Sequence, residues 1–263
     1  MDGFAVSVRA SRRVLLAGLF AALAGGFWGG AANAADASVA VAANFTAPAK
    51  EIAAKYKELT GYAVDLSFGA SGQFYTQISQ GAPFDIFLSA DNERTEKAIK
   101  EGFAVPGSAF TYAVGKLVLW SADPALIDKD GAVLKKGTFT HLSLANPKAA
   151  PYGAAAVETL NALGLYKSVE SKIVTGENIG QTFQFIVSKN AELGFVAYSQ
   201  VINVKGGSQW VVPEKLYSPI VQDAVLLKHG ENNTVAKGFY KFLKGKQATD
   251  IIKRYGYVLK DGK

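Results

Sequence analysis

Short apolar runs alternate with stretches of helical period along most of the chain. Residues 39–42 (VAVA) form an unbroken apolar run. Ala43-Asn44-Phe45-Thr46 follow, and then a segment with apolar positions at helical spacing and Pro48 in its first turn. Proline is tolerated there, because the N–H it lacks has no partner in the first turn of a helix. Asn44 or Thr46 is the expected cap. Residues 64–68 (VDLSF) alternate as a half-buried strand and lead through Gly69-Ala70-Ser71-Gly72, with Ser71 as cap, into a helix over 73–80. Residues 86–89 (IFLS) read as a buried strand before a helix opened by Asp91-Asn92-Glu93 and closed at Gly102. Three strand–helix units in succession predict a parallel sheet.

One strand over 114–120 (VGKLVLW) and a loop-rich passage over 121–137 then mark a crossing into a second domain near Gly115. The same alternation resumes beyond it. A strand over 141–145 passes through Asn146-Pro147 to a helix over 154–163, and a strand over 172–175 passes through Gly176-Glu177-Asn178-Ile179-Gly180 to a helix over 181–189. Further strands are expected over 193–198 and 209–213. Residues 217–227 read as a return strand into the first domain. Asn233-Thr234 cap a helix over 235–243, and a last helix over 247–255 sets Ile251, Ile252 and Tyr255 on one face. The expected organisation is an α/β protein of two domains, one of 35–115 with 216–263, the other of 116–215.

Four strand-to-helix turns carry small or polar residues, at Asn44, Ser71, Tyr152 and Ile179, two in each domain. The start of a helix exposes unpaired N–H groups and the positive end of the helix dipole, a natural seat for an anion. In open α/β sheets the ligand crevice lies outside the carboxyl ends of the strands, so two such domains facing each other bring the four turns to one cleft. A site rich in donors and poor in acceptors suits a small, fully ionised oxyanion, which brings no proton of its own. Any one of these turns, taken alone, reads as an ordinary helix cap.

Composition narrows the chemistry. The 263 residues include no Cys, which removes disulfides, thiolate nucleophiles and thiolate metal sites. Arg9, Arg12 and Arg13 precede an apolar run that ends in Ala32-Asn33-Ala34, the pattern of a secretory signal over residues 1–34 cut after Ala34. Ser11-Arg12-Arg13 also fits a twin-arginine signal. Removing that segment takes away three Arg and one Asp and lowers the formal charge from +6 to +4, with only Arg94 and Arg254 left among the arginines. So mild and dispersed a charge does not describe a nucleic-acid binder. The spacing around Ser71 fails the G-x-S-x-G nucleophile pattern, because Gln73 stands where the second Gly belongs. His141 and His229 stand apart from any partner motif, and metal-ligand clusters and nucleotide fingerprints are absent from the sequence. No catalytic residue is assigned. An exported hydrolase acting on a small anion is the reading from a different class.

Several stretches resemble the periplasmic molybdate-binding proteins of ABC importers: AANFTAPAKEIAAKY, SFGASGQFYTQISQGAPFDIFLSAD, NPKAAPYG, ELGFVAYS and VAKGFYKFLKGKQATDIIKRYGY. The similarity spans about 37–259 and is most specific in QGAPFDIFLSAD and the C-terminal segment. It implies the type II periplasmic-binding-protein clamshell, with the ligand in the interdomain cleft. It also implies molybdate or tungstate held by main-chain N–H groups and hydroxyls from Asn44 with Ala43, Ser71, Tyr152 and Ile179. Ser71 would donate through both N–H and hydroxyl, Tyr152 and Ile179 through N–H. The implied partners are the oxyanion and a membrane permease of an ABC transporter, with a monomer working in the periplasm and no cofactor. A binding protein of the same fold for sulfate or another small oxyanion is the alternative. Some members use a Tyr hydroxyl where this chain has Ala197. Tyr198 stands one residue later, and one step along a strand reverses the face, so Tyr198 is not expected to ligate.

Overall fold

The computed structural model describes residues 36–259. The export signal and its cut at Ala34 lie outside the described residues. The first sheet has the order β2-β1-β3-β10-β4, from strands β1 (Ala37–Ala42), β2 (Val64–Gly69), β3 (Ile86–Leu88), β4 (Phe110–Gly115) and β10 (Ile220–Leu226). The second has the order β7-β6-β8-β5-β9, from β5 (Leu117–Ser121), β6 (Leu142–Ala145), β7 (Ile173–Gly176), β8 (Leu193–Ala197) and β9 (Ser208–Val211). The helices α1 (Thr46–Thr60), α2 (Ser71–Ser79), α3 (Glu93–Lys100), α9 (Thr234–Leu243) and α10 (Lys246–Arg254) belong to the first lobe. Those of the second are α4 (Val133–Lys136), α5 (Pro151–Ala162), α6 (Tyr166–Val169), α7 (Ile179–Val187) and α8 (Tyr198–Val201).

Both sheets are mixed rather than parallel, and the chain path gives the reason. β1 pairs parallel with β2 and β3, so all three end on the same side, at the cleft. The strand expected over 114–120 is broken at Lys116: β4 ends at Gly115 in the first sheet and β5 starts at Leu117 in the second. β5 therefore enters its sheet from the cleft and runs antiparallel to β8, while β6 lies parallel to β7 and β8. β10 returns from the second lobe, also enters from the cleft, and runs antiparallel to both β3 and β4. The consequence is functional: β1, β2, β6 and β7 all deliver their carboxyl ends, and the helix starts beyond them, to the space between the sheets.

Each lobe has its own core. Phe45, Ile52, Tyr56, Phe239 and Ile252 pack between α1, α9, α10 and the first sheet, and Phe45 makes an edge contact with Tyr112 at 4.8 Å. Leu119, Leu142, Leu144, Leu160 and Phe195 fill the second. Over the described residues the two lobes together form one compact unit. Among the described residues, no helix is long and apolar enough to cross a membrane.

The helix starts differ from the expectation in detail. Asn233 does cap α9, its Oδ1 accepting from the N–H of Val235 at 3.0 Å and Ala236 at 3.1 Å. Neither Asn44 nor Thr46 caps α1; residues Ala43–Phe45 form a 3-10 turn, Phe45 occupies the cap position, and the Thr46 hydroxyl donates back to the Ala43 carbonyl at 2.8 Å. Ser71 is the first residue of α2 rather than its cap, since the extended residue is Ala70. Likewise α5 begins at Pro151 and α7 at Ile179, each two or three residues ahead of the sequence pattern. Apolar periodicity marks where a helix starts to pack, and the first turn precedes that point.

Candidate functional site

Residues Ala42, Ala43, Asn44, Gly69, Ala70, Ser71, Ala90, Ala150, Pro151, Tyr152 and Ile179 surround a small, tightly closed cavity of about 10 Å³ between the lobes. All four turns singled out in the sequence, with Ala43, meet there. None of the lining residues carries an ionised side chain. A larger groove, lined by Glu51, Lys55, Glu58, Asp250 and Arg254, is charged and shares none of these residues.

Three of the lining residues sit in the first turn of their helices: Ser71 opens α2, Tyr152 follows Pro151 in α5, and Ile179 opens α7. The N–H groups of such positions have no intrahelical acceptor, and these three find none elsewhere among the described residues. Their neighbours are already engaged. Gly72 N–H donates to the Ala149 carbonyl at 2.9 Å, Gly153 N–H to Ala150 at 2.9 Å, and the N–H groups of Gly180 and Gln181 to the Asn178 side chain. Donors that are not needed for capping therefore remain at the cavity wall. The Ser71 hydroxyl oxygen accepts from Ala90 N–H at 2.9 Å, which fixes the oxygen and leaves its own proton to donate.

A glycine makes the second lobe's contribution possible. A Cβ on Gly153 would lie 2.1 Å from the Ala145 carbonyl oxygen, so only glycine lets the first turn of α5 sit directly on the end of β6.

Behind the cavity lies a buried polar network that sequence reasoning missed. The Asn44 amide donates to Gln222 Oε1 at 2.7 Å and to the Tyr257 hydroxyl at 2.9 Å. Gln222 Oε1 also accepts from Tyr112, and Gln222 Nε2 donates to the Tyr152 hydroxyl at 3.2 Å. Ser199 donates to the Asn44 carbonyl at 2.9 Å, and Tyr257 lies 2.9 Å from both that carbonyl and the Ser199 hydroxyl. Asn44 thus spends its amide hydrogens on the network, leaving main chain to face the cavity. A register shift in β10 between Gln222 and Asp223 places Gln222 at this point, a common use of strand irregularity. Burial pushes the Tyr257 hydroxyl up to about 12, and pushes Tyr112 and Tyr152 upward as well. All three stay neutral at physiological pH, so no phenolate opposes an anion.

Tyr152 does not fill the cavity with its ring; its hydroxyl reaches Gln222 and sits so close to Gly115 that a Cβ there would lie 2.0 Å from it. Tyr198 is absent from the cavity wall. The strand ends at Ala197 and Tyr198 opens α8, packing on Gly256 and beside Trp120 and Val118. Its position is set by the end of the strand rather than by strand alternation. His141 and His229 lie outside the wall. His229 Nδ1 is 2.8 Å from the buried Asp85 carboxylate, and His141 lies beside Glu192. No group of three or more His, Cys, Asp or Glu is placed to hold a metal ion among the described residues.

Two α/β lobes closed over a small donor-lined cavity have the design of a solute-binding protein. The chain belongs to the family described as bacterial extracellular solute-binding protein, whose sequence model matches residues 37–258. It is 60% identical over 227 residues to the molybdate-binding protein ModA of Rhodobacter capsulatus, covering 86% of this chain and 90% of that one. It is 56% identical to the molybdate-binding protein ModA of Azotobacter vinelandii, covering 93% and 98%. The solved structure of the Azotobacter vinelandii periplasmic molybdate-binding protein superposes with a TM-score of 0.83 at 43% identity, covering 86% of this chain and all of that one.

Proposed function

We propose that this protein captures molybdate, and tungstate with it, in the periplasm and delivers the ion to the membrane permease of an ABC importer. The observation that carries the reading is the meeting of three uncommitted helix-start N–H groups, at Ser71, Tyr152 and Ile179, with the Ala43–Asn44 turn and the Ser71 hydroxyl around one uncharged cavity. The high identity to two proteins named for molybdate binding supports the choice of ion. A tetrahedral dianion takes hydrogen bonds on every oxygen and gives none. A protonated phosphate needs an acceptor, which a wall of donors does not offer. Sulfate shares the charge and shape of molybdate but is smaller, so cavity size decides between them. The same wall gives no reason to expect catalysis, since Ser71 has no base beside it and its oxygen is tied to Ala90. The protein acts as a monomer without a cofactor, its two parts, 35–115 with 216–263 and 116–215, hinging about the chain crossings.

Calorimetry with molybdate, tungstate, sulfate and phosphate tests the reading. Molybdate and tungstate should give matched, tight isotherms and phosphate no heat; a tight sulfate isotherm without molybdate heat overturns the assignment. Replacing Ser71 by alanine removes one donor hydroxyl and leaves the Ala90 N–H without its acceptor. Affinity for molybdate should fall about tenfold, the worth of one hydrogen bond to a charged group. An unchanged isotherm takes the Ser71 side chain out of the site.

A further inference from the structure

The two lobes also meet along a seam at the edge of the cavity, and this seam is made by residues that do not line it. Gly72, next to Ser71, donates its N–H across the cleft to the Ala149 carbonyl at 2.9 Å. Arg94 Nη2 donates across the same line to the Lys148 carbonyl at 2.9 Å, and Gln73 Nε2 reaches Glu177 at 3.1 Å. The Lys148-Ala149 segment is itself braced, since the N–H groups of Ala149 and Ala150 both donate to the Asn146 carbonyl. It leads straight into Pro151 and Tyr152. The seam therefore ties the turn that carries Ser71 to the turn that carries Tyr152.

Arg94 is held ready for this contact. Its guanidinium pairs with Asp91, and Asp91 Oδ1 is fixed in turn by the Arg94 N–H at 3.0 Å and the Ser89 hydroxyl at 3.1 Å. The pair is mostly buried, with the side chains 20% and 17% exposed. Asp91 neutralises Arg94, so the guanidinium serves the Lys148 carbonyl rather than the anion. Gly72 is fitted as closely: a Cβ there would lie 3.0 Å from Ala149 Cα, 3.1 Å from its oxygen and 3.1 Å from Arg94 Nη2. Its φ is not in the left-handed region, so a side chain here would be crowded by the facing lobe and not strained by its own helix.

We propose that the Gly72–Ala149 and Arg94–Lys148 contacts form a latch that keeps the lobes shut, with Gly72 and Arg94 as positioning residues that set how long a bound anion stays. The inference rests on the oxyanion reading for what is held, while the latch itself is a property of the two lobes. Breaking it should act on dissociation, because the lobes must part before the ion leaves, and should spare capture by the open form.

Two measurements test the latch, on Gly72→Ala, Arg94→Met and Arg94→Lys. In stopped-flow chase experiments with molybdate, each variant should release the ion at least about tenfold faster, with association within about threefold of the parent. The lysine should fail like the methionine, since one ammonium cannot serve Asp91 and the carbonyl in the planar geometry of the guanidinium. Ligand-free Gly72→Ala should melt no lower than the parent, because alanine favours the first turn of α2; a simple packing defect would lower it. Unchanged release rates in all three variants overturn the proposal. The second measurement needs no ligand. The chain lacks cysteine, so Gln80→Cys and Asn161→Cys, at exposed positions on the two lobes, accept one spin label each. Without any oxyanion, Gly72→Ala should move the inter-label distance distribution towards longer values, and an unmoved distribution overturns the latch. A parent protein that ignores molybdate refutes the assigned ligand and leaves this distance comparison to decide the latch.

Discussion

Ile179→Pro should weaken molybdate binding by about 10- to 100-fold while leaving α7 in place. Proline is well tolerated at the first position of a helix, where the N–H has no helical acceptor. The preceding residue must then be extended, and Asn178 already is, at φ −148° and ψ 172°. Asn178 also keeps its cap on Gly180 and Gln181. The substitution is therefore close to a deletion of one backbone donor, and hydrogen bonds to charged groups contribute about 1.5–3 kcal/mol. Ile179 is buried, so the smaller ring should also cost about 1 kcal/mol of stability. Ile179→Val keeps the N–H and supplies the control for that packing term. Calorimetry reads the affinity and circular dichroism the helix. Equal affinity in the proline and valine variants removes the Ile179 N–H from the site.

Gln222→Leu should be the most destabilising polar substitution of the site region. Gln222 is fully buried and serves Asn44, Tyr112 and Tyr152 at once. Leucine is close in size but satisfies none of them. Tyr112 retains the Ser89 carbonyl at 3.0 Å, whereas an Asn44 hydrogen and the Tyr152 hydroxyl lose this partner. A buried group left without its partner costs about 1–3 kcal/mol, so a total near 3 kcal/mol and a fall in Tm of about 6–12 °C are expected for a chain of this size. Binding should weaken too, because the network fixes the Ala43–Asn44 turn and anchors α5 through Tyr152. A Tm within 2 °C of the parent would show that the network relaxes around the loss, or finds water, at little cost.

Much of the candidate site was legible because its parts are local. Each turn follows an apolar strand and precedes a helical period, and Asn44, Ser71, Tyr152 and Ile179 all lie within such a passage. A few residues of sequence suffice to place a helix start, and the physics of exposed N–H groups supplies the reason to care. Exact starts were less legible. Ser71 and Ile179 proved to be first helical residues, because the amphipathic pattern begins only where the helix meets the core.

The supporting network was hidden because its partners are far apart in sequence. Asn44 meets Gln222 across 178 residues and Tyr257 across 213. No period or motif in the chain links them, and each is unremarkable in its own segment. The sequence placed a crossing near Gly115 yet read 114–120 as one strand, and only the two sheets divide it at Lys116.

By itself, the amino-acid sequence determined an α/β chain with strand–helix alternation, the donor-bearing turns, the lack of thiol chemistry and the family resemblance. These follow from local conformational preference and from side-chain chemistry, which do not depend on distant partners. The tertiary structure alone decided that the sheets are mixed, since strand direction depends on which lobe the chain enters from. It also decided that Asn44 turns its amide away from the cavity and that Tyr152 braces Gly115 and Gln222. The seam at Gly72 and Arg94 came from the same source. Such choices are made by packing one lobe against the other, where a single Cβ or hydroxyl has room in only one arrangement.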